Sequence, residues 1–272
     1  MSRIISAFAG GRKAFIPFVT CGDPDLETTA ALVRMLAEEG ADLIELGIPF
    51  SDPVAEGPVI QAASMRALAG GTTVDGIFDM VRELRKTVEV PLVFMTYANV
   101  VFARGGESFI SRCADVGIDG MIIPDLPFEE KGEFEPFCRR CGVDLISMIS
   151  PASGDGRIAM IAREATGFIY VVSSYGVTGV REHITSDIKR MVGVVRANSA
   201  VPCAVGFGIS TPGQAAEMAA LADGVIVGSA IMRIVGEYGR ECVPFVREFV
   251  NGDCANRGAN RDGGFIDKKQ AT

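Results

Sequence analysis

Eight short, β-branched apolar runs, each followed by a longer amphipathic stretch, constrain this chain more than any other feature. They fall at 14–19 (AFIPFV), 42–46 (DLIEL), 91–95 (PLVFM), 119–123 (DGMII), 143–149 (VDLISMI), 168–173 (FIYVVS), 201–206 (VPCAVG) and 223–227 (DGVIV). Helical periodicity separates them, as in Leu26–Glu39, Phe109–Val116, Phe134–Cys141, Ile158–Ala165, Ile184–Ala197 and Gln214–Leu221. Strands that are nearly continuous in apolar residues and alternate with helices belong to a parallel sheet covered on both faces. Eight strand–helix units point to a closed (β/α)8 TIM barrel more than to an open doubly wound sheet.

The spacing is regular except between the second and third runs, where two helices fit, at about 58–69 and 74–87. The loop after strand 2 therefore carries an extra helix. At 272 residues the chain is long enough for two average domains, but barrels routinely use roughly 250 residues as one. We expect a single barrel domain over 1–250. The segment 251–272 (NGDCANRGANRDGGFIDKKQAT) has too few apolar residues to bury and is expected to be a mobile, polar tail.

Composition removes several function classes. Net charge is −8 and no Lys/Arg cluster stands out, which argues against nucleic acid or an anionic membrane as partner. Seven cysteines, at 21, 113, 138, 141, 203, 242 and 254, are an odd number spread over a long chain, a pattern of reduced thiols. The one close pair, Cys138-Arg-Arg-Cys141, has no second pair to complete a zinc ribbon, and His183 is the sole histidine, so no metal site is expected. The apolar run Ile4–Ala9 is too short for a secretory core, and no stretch reaches the roughly 20 apolar residues of a membrane span. A cytoplasmic protein is expected.

Active sites of such barrels lie at the C-terminal ends of the strands. The segments there are Phe18-Val19-Thr20-Cys21-Gly22-Asp23-Pro24, Glu45, Thr96-Tyr97-Ala98-Asn99, Pro124-Asp125-Leu126-Pro127, Ser150-Pro151, Tyr170 with Ser173–Gly179, Gly206-Phe207-Gly208-Ile209-Ser210 and Gly228-Ser229-Ala230. Glycines after strands 7 and 8 let backbone N–H groups approach an anion at a helix start, a frequent phosphate site in barrels; they could also simply end strands. None of the six lysines (13, 86, 131, 189, 268, 269) lies at a strand end, which disfavours imine chemistry, and one histidine cannot supply a metal cluster. Proton transfer by carboxylates remains, with Tyr170 as a helper. Glu45, set among Leu and Ile, would have its pKa raised by desolvation into the range of an acid/base catalyst; the competing reading is a structural acid paired with arginine. Glu56, in a Pro/Gly-rich loop, is as readily a solvated charge.

Five of these segments, Phe18–Pro24, Glu45–Pro53 (ELGIPFSDP), Asp125–Pro127, Gly176–Gly179 (GVTG) and Gly206–Ser210, occur in an order and spacing that resembles the tryptophan synthase α chain family, from the N-terminus to about residue 250. That family cleaves indole-3-glycerol phosphate to indole and glyceraldehyde 3-phosphate without metal or Schiff base. The resemblance implies an acid/base role for Glu45 at the indole ring and the glycerol hydroxyl, with Tyr170 nearby. It implies phosphate binding by Gly179, Gly208, Gly228 and Ser229, an apolar indole pocket at Phe18, Met95 and Ile122, and a closing loop containing Thr178. It further implies an α2β2 heterotetramer with a β chain, contacted through Pro49, Asp52 and the 174–182 segment; sequence alone would read Pro49 and Asp52 as turn chemistry. Pyridoxal phosphate would belong to that β chain, and no cofactor to this one.

Two positions depart from the family pattern. Its second acid is an aspartate, in Pro-Phe-Ser-Asp-Pro-x-Ala-Asp-Gly-Pro, and here Glu56 reaches one methylene further in the role of accepting the indole N–H. Ser173-Ser174-Tyr175 stands before Gly176, where many members carry an arginine. The first departure motivates an alternative, a weakly catalytic subunit that mainly binds and activates the β chain.

Overall fold

The computed structural model describes residues 2–173, 181–206 and 212–254. Its eight strands are β1 (Ala14–Thr20), β2 (Ile44–Gly47), β3 (Leu92–Met95), β4 (Gly120–Ile122), β5 (Asp144–Ile149), β6 (Ile169–Val172), β7 (Cys203–Gly206) and β8 (Gly224–Val227). All pair in parallel with their sequence neighbours, and β8 returns to β1 through Ala14↔Gly224 to Pro17↔Val227, so the sheet is a closed barrel. Each strand lies within two residues of an apolar run. Most are buried along their whole length because helices cover the outside and side chains fill the inside.

Twelve α-helices surround the sheet among the described residues. They are α1 (Arg3–Ala7), α2 (Leu26–Glu38), α3 (Pro58–Ala69), α4 (Val74–Leu84), α5 (Ala98–Phe102), α6 (Gly106–Val116), α7 (Glu135–Cys141), α8 (Asp155–Glu164), α9 (Arg181–Asn198), α10 (Pro212–Leu221), α11 (Ser229–Tyr238) and α12 (Cys242–Phe249). The long interval between the second and third strands holds α3 and α4, as its length requires. Side-chain caps start the helices beside it: Asp25 accepts from the Thr28 N–H at α2 and Thr73 from the Gly76 N–H at α4. A helical turn at Val250–Cys254 continues past α12, where the Asn251 amide donates to Glu39 at 2.9 Å, so the expected tail begins inside a turn; residues 255–272 lie outside the described residues.

The N-terminal end of the barrel is closed and wired. Ile4 of α1 is fully buried, and a Cβ added at Gly120 would lie 2.7 Å from its Cδ1; one at Gly224 would lie 2.9 Å from the Phe8 ring. A side chain at either strand start would press on α1 or on the residue after it. Three aspartates just before strands repeat one device. Asp42 accepts the Phe15 N–H at 2.8 Å and pairs with Arg12. Asp119 accepts the Leu92 N–H at 2.9 Å and pairs with Arg85. Asp223 accepts the Cys203 N–H at 2.9 Å and pairs with Arg196 at 2.8 Å. Each binds a peptide N–H in the first two residues of the neighbouring strand and a cation together.

Candidate active site

Glu45 sits in the middle of β2, opposite Phe18 of β1 and Val93 of β3. Its residue is 1% exposed, and neither carboxylate oxygen has a hydrogen-bond partner. The reading of a structural acid held by arginine therefore finds no support in its surroundings. Burial, followed by the nearby charge of Glu56, pushes its pKa up to about 8. Tyr170 faces the same interior from β6, and its pKa is also driven well up, by burial first and by Glu45 second. The tyrosine ring fits because β7 ends in Gly206, where an added Cβ would lie 2.3 Å from the phenol oxygen.

Glu56 is half-buried and one of its oxygens, Oε2, has no partner. Its pKa rises to about 7 through burial, while a hydrogen bond from Tyr97 acts in the opposite direction. Tyr97 was visible in the sequence as a residue at the end of strand 3, but nothing local assigned it a task. It is 1% exposed, stacks on Phe50 with centroids 4.9 Å apart, and its hydroxyl accepts the Ala55 N–H at 3.3 Å. One tyrosine thus holds the loop backbone at Ala55 and the carboxyl beside it.

Both acids line a cavity of about 1060 Å³ at the C-terminal end of the barrel. Phe18, Met95, Tyr170, Gly228 and Ser229 line it too, so five more of the expected site residues converge there. Ile122 is fully buried and does not reach the cavity, whereas the next residue, Ile123, does. Pro49 is buried and Asp52 exposed, both away from the cavity wall. Thr178, Gly179 and Gly208, and the 174–180 part of the expected partner segment, lie outside the described residues.

Gly228 precedes the first turn of α11, whose opening N–H groups and dipole favour an anion. Packing is also tight here: an added Cβ would lie 3.1 Å from Phe18, whose ring tip lies only 2.5 Å from the Cβ position at Gly47. Arg233, one turn further along α11, adds an exposed cation to the lining that the sequence did not single out. Cys138 is buried on α7 with its thiol pKa raised by burial to about 12, and Cys141 is half-exposed; both are free thiols. Among the described residues, no group of His, Cys, Asp and Glu is arranged to hold a metal ion.

Comparison with known proteins adds an independent line. The model of the tryptophan synthase alpha chain family matches residues 5–252. A tryptophan synthase alpha chain from Lacticaseibacillus casei is 48% identical, over 92% of this chain and 93% of its own length. One from Geobacter sulfurreducens is 49% identical, over 90% and 97%. Among solved structures, a chain of the tryptophan synthase complex from Pyrococcus furiosus superposes with a TM-score of 0.80 at 33% identity, covering 90% of this chain and 99% of that one. The alpha subunit from Campylobacter jejuni gives 0.80 at 31%, covering 87% and 95%.

Proposed function

The chain belongs to the tryptophan synthase alpha chain family, and we propose that it releases indole and glyceraldehyde 3-phosphate from indole-3-glycerol phosphate with Glu45 and Glu56 as its acid/base pair. The observation that carries this reading is the pair itself: two carboxyls with raised pKa in one largely apolar cavity, and Glu45 with no partner for either oxygen. At neutral pH a carboxyl of pKa about 8 is mostly protonated and a group near 7 is about half ionised. Glu45 is then the proton donor to the indole ring carbon, and Glu56 the acceptor of the ring N–H proton as positive charge develops. Having given up its proton, Glu45 is a carboxylate that can take the hydroxyl proton of the glycerol chain as the carbon–carbon bond breaks. The electron pair of that bond stays with the indole ring, and the hydroxyl carbon becomes the aldehyde. Tyr170 packs beside Glu45 as its helper. Phe18 and Met95 supply apolar surface for the ring, with Ile123 taking the cavity-facing place expected of Ile122. Gly228 and Ser229 hold the phosphate at the start of α11, and Gly179 and Gly208 complete that cradle in this reading. The family resemblance assigns Thr178 to substrate closure; it lies outside the described residues.

The partner in this reading is a β chain, which would carry pyridoxal phosphate and receive indole; no cofactor is assigned to this chain. The loop after β2 is the contact. Asp52 is exposed, and Val54, an apolar residue, is 80% exposed two positions later. Pro49, being buried, would transmit movement of that loop and not touch the partner. Indole release from indole-3-glycerol phosphate, measured with and without added β chain, tests the proposal. Wild type must turn over and Glu45→Gln must not; full activity in Glu45→Gln overturns the assignment. Glu56 in the place of the family's aspartate keeps the second reading, a weakly catalytic activator of the β chain, in view. It requires wild type to be inert even with its partner and to gain turnover as Glu56→Asp.

A further inference from the structure

Resting on the reading of Glu56 as a proton acceptor, we propose that Arg66 is a positioning residue that fixes Glu56 by locking α3 onto the loop after β1. Glu56 is separated from the first residue of α3 only by Gly57, and that helix start has no side-chain cap. The buried face of α3 is made of Ile60, Ala63, Ser64 and Ala67, with Val59 half-buried beside it, so Ile60 is its one large buried apolar side chain. Small side chains interdigitate shallowly and leave the helix little to resist sliding or rotation. The directional constraint comes from elsewhere. Arg66 Nε and Nη2 donate to the two oxygens of Asp23 at 2.9 and 2.7 Å, a two-pronged bond on a carboxylate with no solvent exposure. Such a fork fixes orientation as well as distance.

The far end of α3 docks on the same loop. Gly22 has φ +83°, and an added Cβ there would lie 1.9 Å from Thr72 Oγ1, so the turn after α3 rests directly on the Gly22 backbone. The Arg66 Nη2 that bonds Asp23 also lies 3.1 Å from the Cβ position of Gly236 in α11, the helix whose start carries Gly228 and Ser229. One cation therefore meets the three segments that set the site: the loop leaving β1, the helix preceded by Glu56, and the helix that opens at the anion cradle. From Arg66 back to the start of α3 is about 12 Å at the rise of an α-helix. A small rotation at Arg66 becomes a displacement near an ångström at Glu56, enough to cost on the order of a hundredfold in rate where a proton must be accepted in line.

A double-mutant cycle on the full chain with added β chain tests this. Arg66→Met lowers kcat by about tenfold or more with KM changed less than about threefold, and Arg66→Lys, which keeps the charge and a single bond, recovers part of the loss. In a Glu56→Gln background the same Arg66→Met substitution has no further effect on kcat, because the group it positions is gone. Equal loss in both backgrounds assigns Arg66 a general structural role and overturns the proposal. Amide exchange at Ile60 and Gln61, whose N–H groups bond the Gly57 carbonyl at 3.1 and 3.0 Å, reads the lock without reference to turnover. It must accelerate in Arg66→Met; unchanged exchange there overturns the proposal as well. If Glu56→Gln turns over like wild type, the catalytic reading of Glu56 fails instead, and the exchange measurement alone decides whether Arg66 holds α3.

Discussion

Two sets of carboxylates, one at each end of the barrel, are treated in opposite ways. At the N-terminal end, Asp42, Asp119 and Asp223 each accept a strand N–H and hold an arginine. At the C-terminal end, Glu45 has partners for neither oxygen and Glu56 lacks one for Oε2. A buried, unpartnered carboxyl costs free energy that a paired one does not. Acids that join segments are satisfied at either end, as Asp23 is by Arg66, whereas the unsatisfied pair lies where a substrate could complete it. The unsatisfied acids thus fall at the end of the barrel where chemistry is expected.

Glu45→Gln has the largest expected effect on the unsatisfied pair. Removal of a proton-transfer group costs roughly 10²–10⁴-fold in turnover, measured as indole release. The same change should flatten a pH dependence of stability. In the folded chain Glu45 titrates near 8, against an ordinary 4.5. The folded state therefore keeps a proton that the unfolded chain has released, and stability falls as pH rises from about 4.5 to about 8. Urea unfolding of wild type across that window should show the decline, and Glu45→Gln should lack its share of it. A variant as pH-sensitive as wild type would mean that Glu45 is not the unsatisfied acid described above.

Glu56→Asp comes next. The loop bearing Glu56 is held by Tyr97 at Ala55, and the longer side chain brings its carboxyl within reach of the same phenol. With that loop fixed, shortening the chain withdraws the carboxyl, and we expect kcat to fall by about 10- to 100-fold. A rise would mean that the added methylene is a handicap and would favour the activator reading.

Much of this contrast was legible in the sequence, and the exceptions have physical reasons. Strands buried on both faces must be continuously apolar, so all eight announce themselves. An acid inside such a run, Glu45, is conspicuous by the same logic. Glu56 was not decidable locally because its burial depends on Tyr97 and Phe50, and the Tyr97 hydroxyl bonds a backbone N–H 42 residues away. Gly228 carried two meanings that sequence could not separate: it opens a helix at the cavity and it clears space for Phe18. Ile122 and Ile123 could not be told apart because the last turn of a strand into its loop decides which one meets the cavity. Short helices such as α1 and α5, five residues each, lack the length to show a period.

Tyr97→Phe sharpens the comparison at intermediate cost. If Glu56 must be ionised and Glu45 protonated, turnover follows a bell with limbs near 7 and 8 that belong to the pair. The Tyr97 hydrogen bond lowers the pKa of Glu56, so its loss raises that pKa and moves the acid limb to higher pH. We expect about a tenfold loss at neutral pH, recovered in part at higher pH. A profile that scales down without moving would place Tyr97 in packing alone.

The smallest effect on turnover belongs to the other end of the molecule. Arg85 donates to Asp119, to the Gly117 carbonyl at 2.8 Å and to the Val88 and Val90 carbonyls at 3.1 and 2.6 Å, with only 12% of its side chain exposed. Arg85→Met leaves Asp119 with the Arg3 guanidinium at 3.4 Å and the Leu92 N–H, and removes a donor from three carbonyls. With Arg3 left to meet part of the charge, breaking this pair from one side costs up to roughly 3 kcal/mol, which in a chain of this size lowers Tm by no more than about 6–12 °C. Turnover per folded molecule, assayed well below that Tm, should stay within about twofold of wild type, as for substitutions far from a site and sharing no partner with it. Asp119 bonds β3 at Leu92, and β3 also carries Met95 at its cavity end. β4, which starts directly after Asp119 and leads to Ile123 at the cavity, is a second connection between the wired end and the chemistry. A large loss of kcat in Arg85→Met, at a temperature where the fold is intact, would show these strands transmitting it and would end the separation of the two ends.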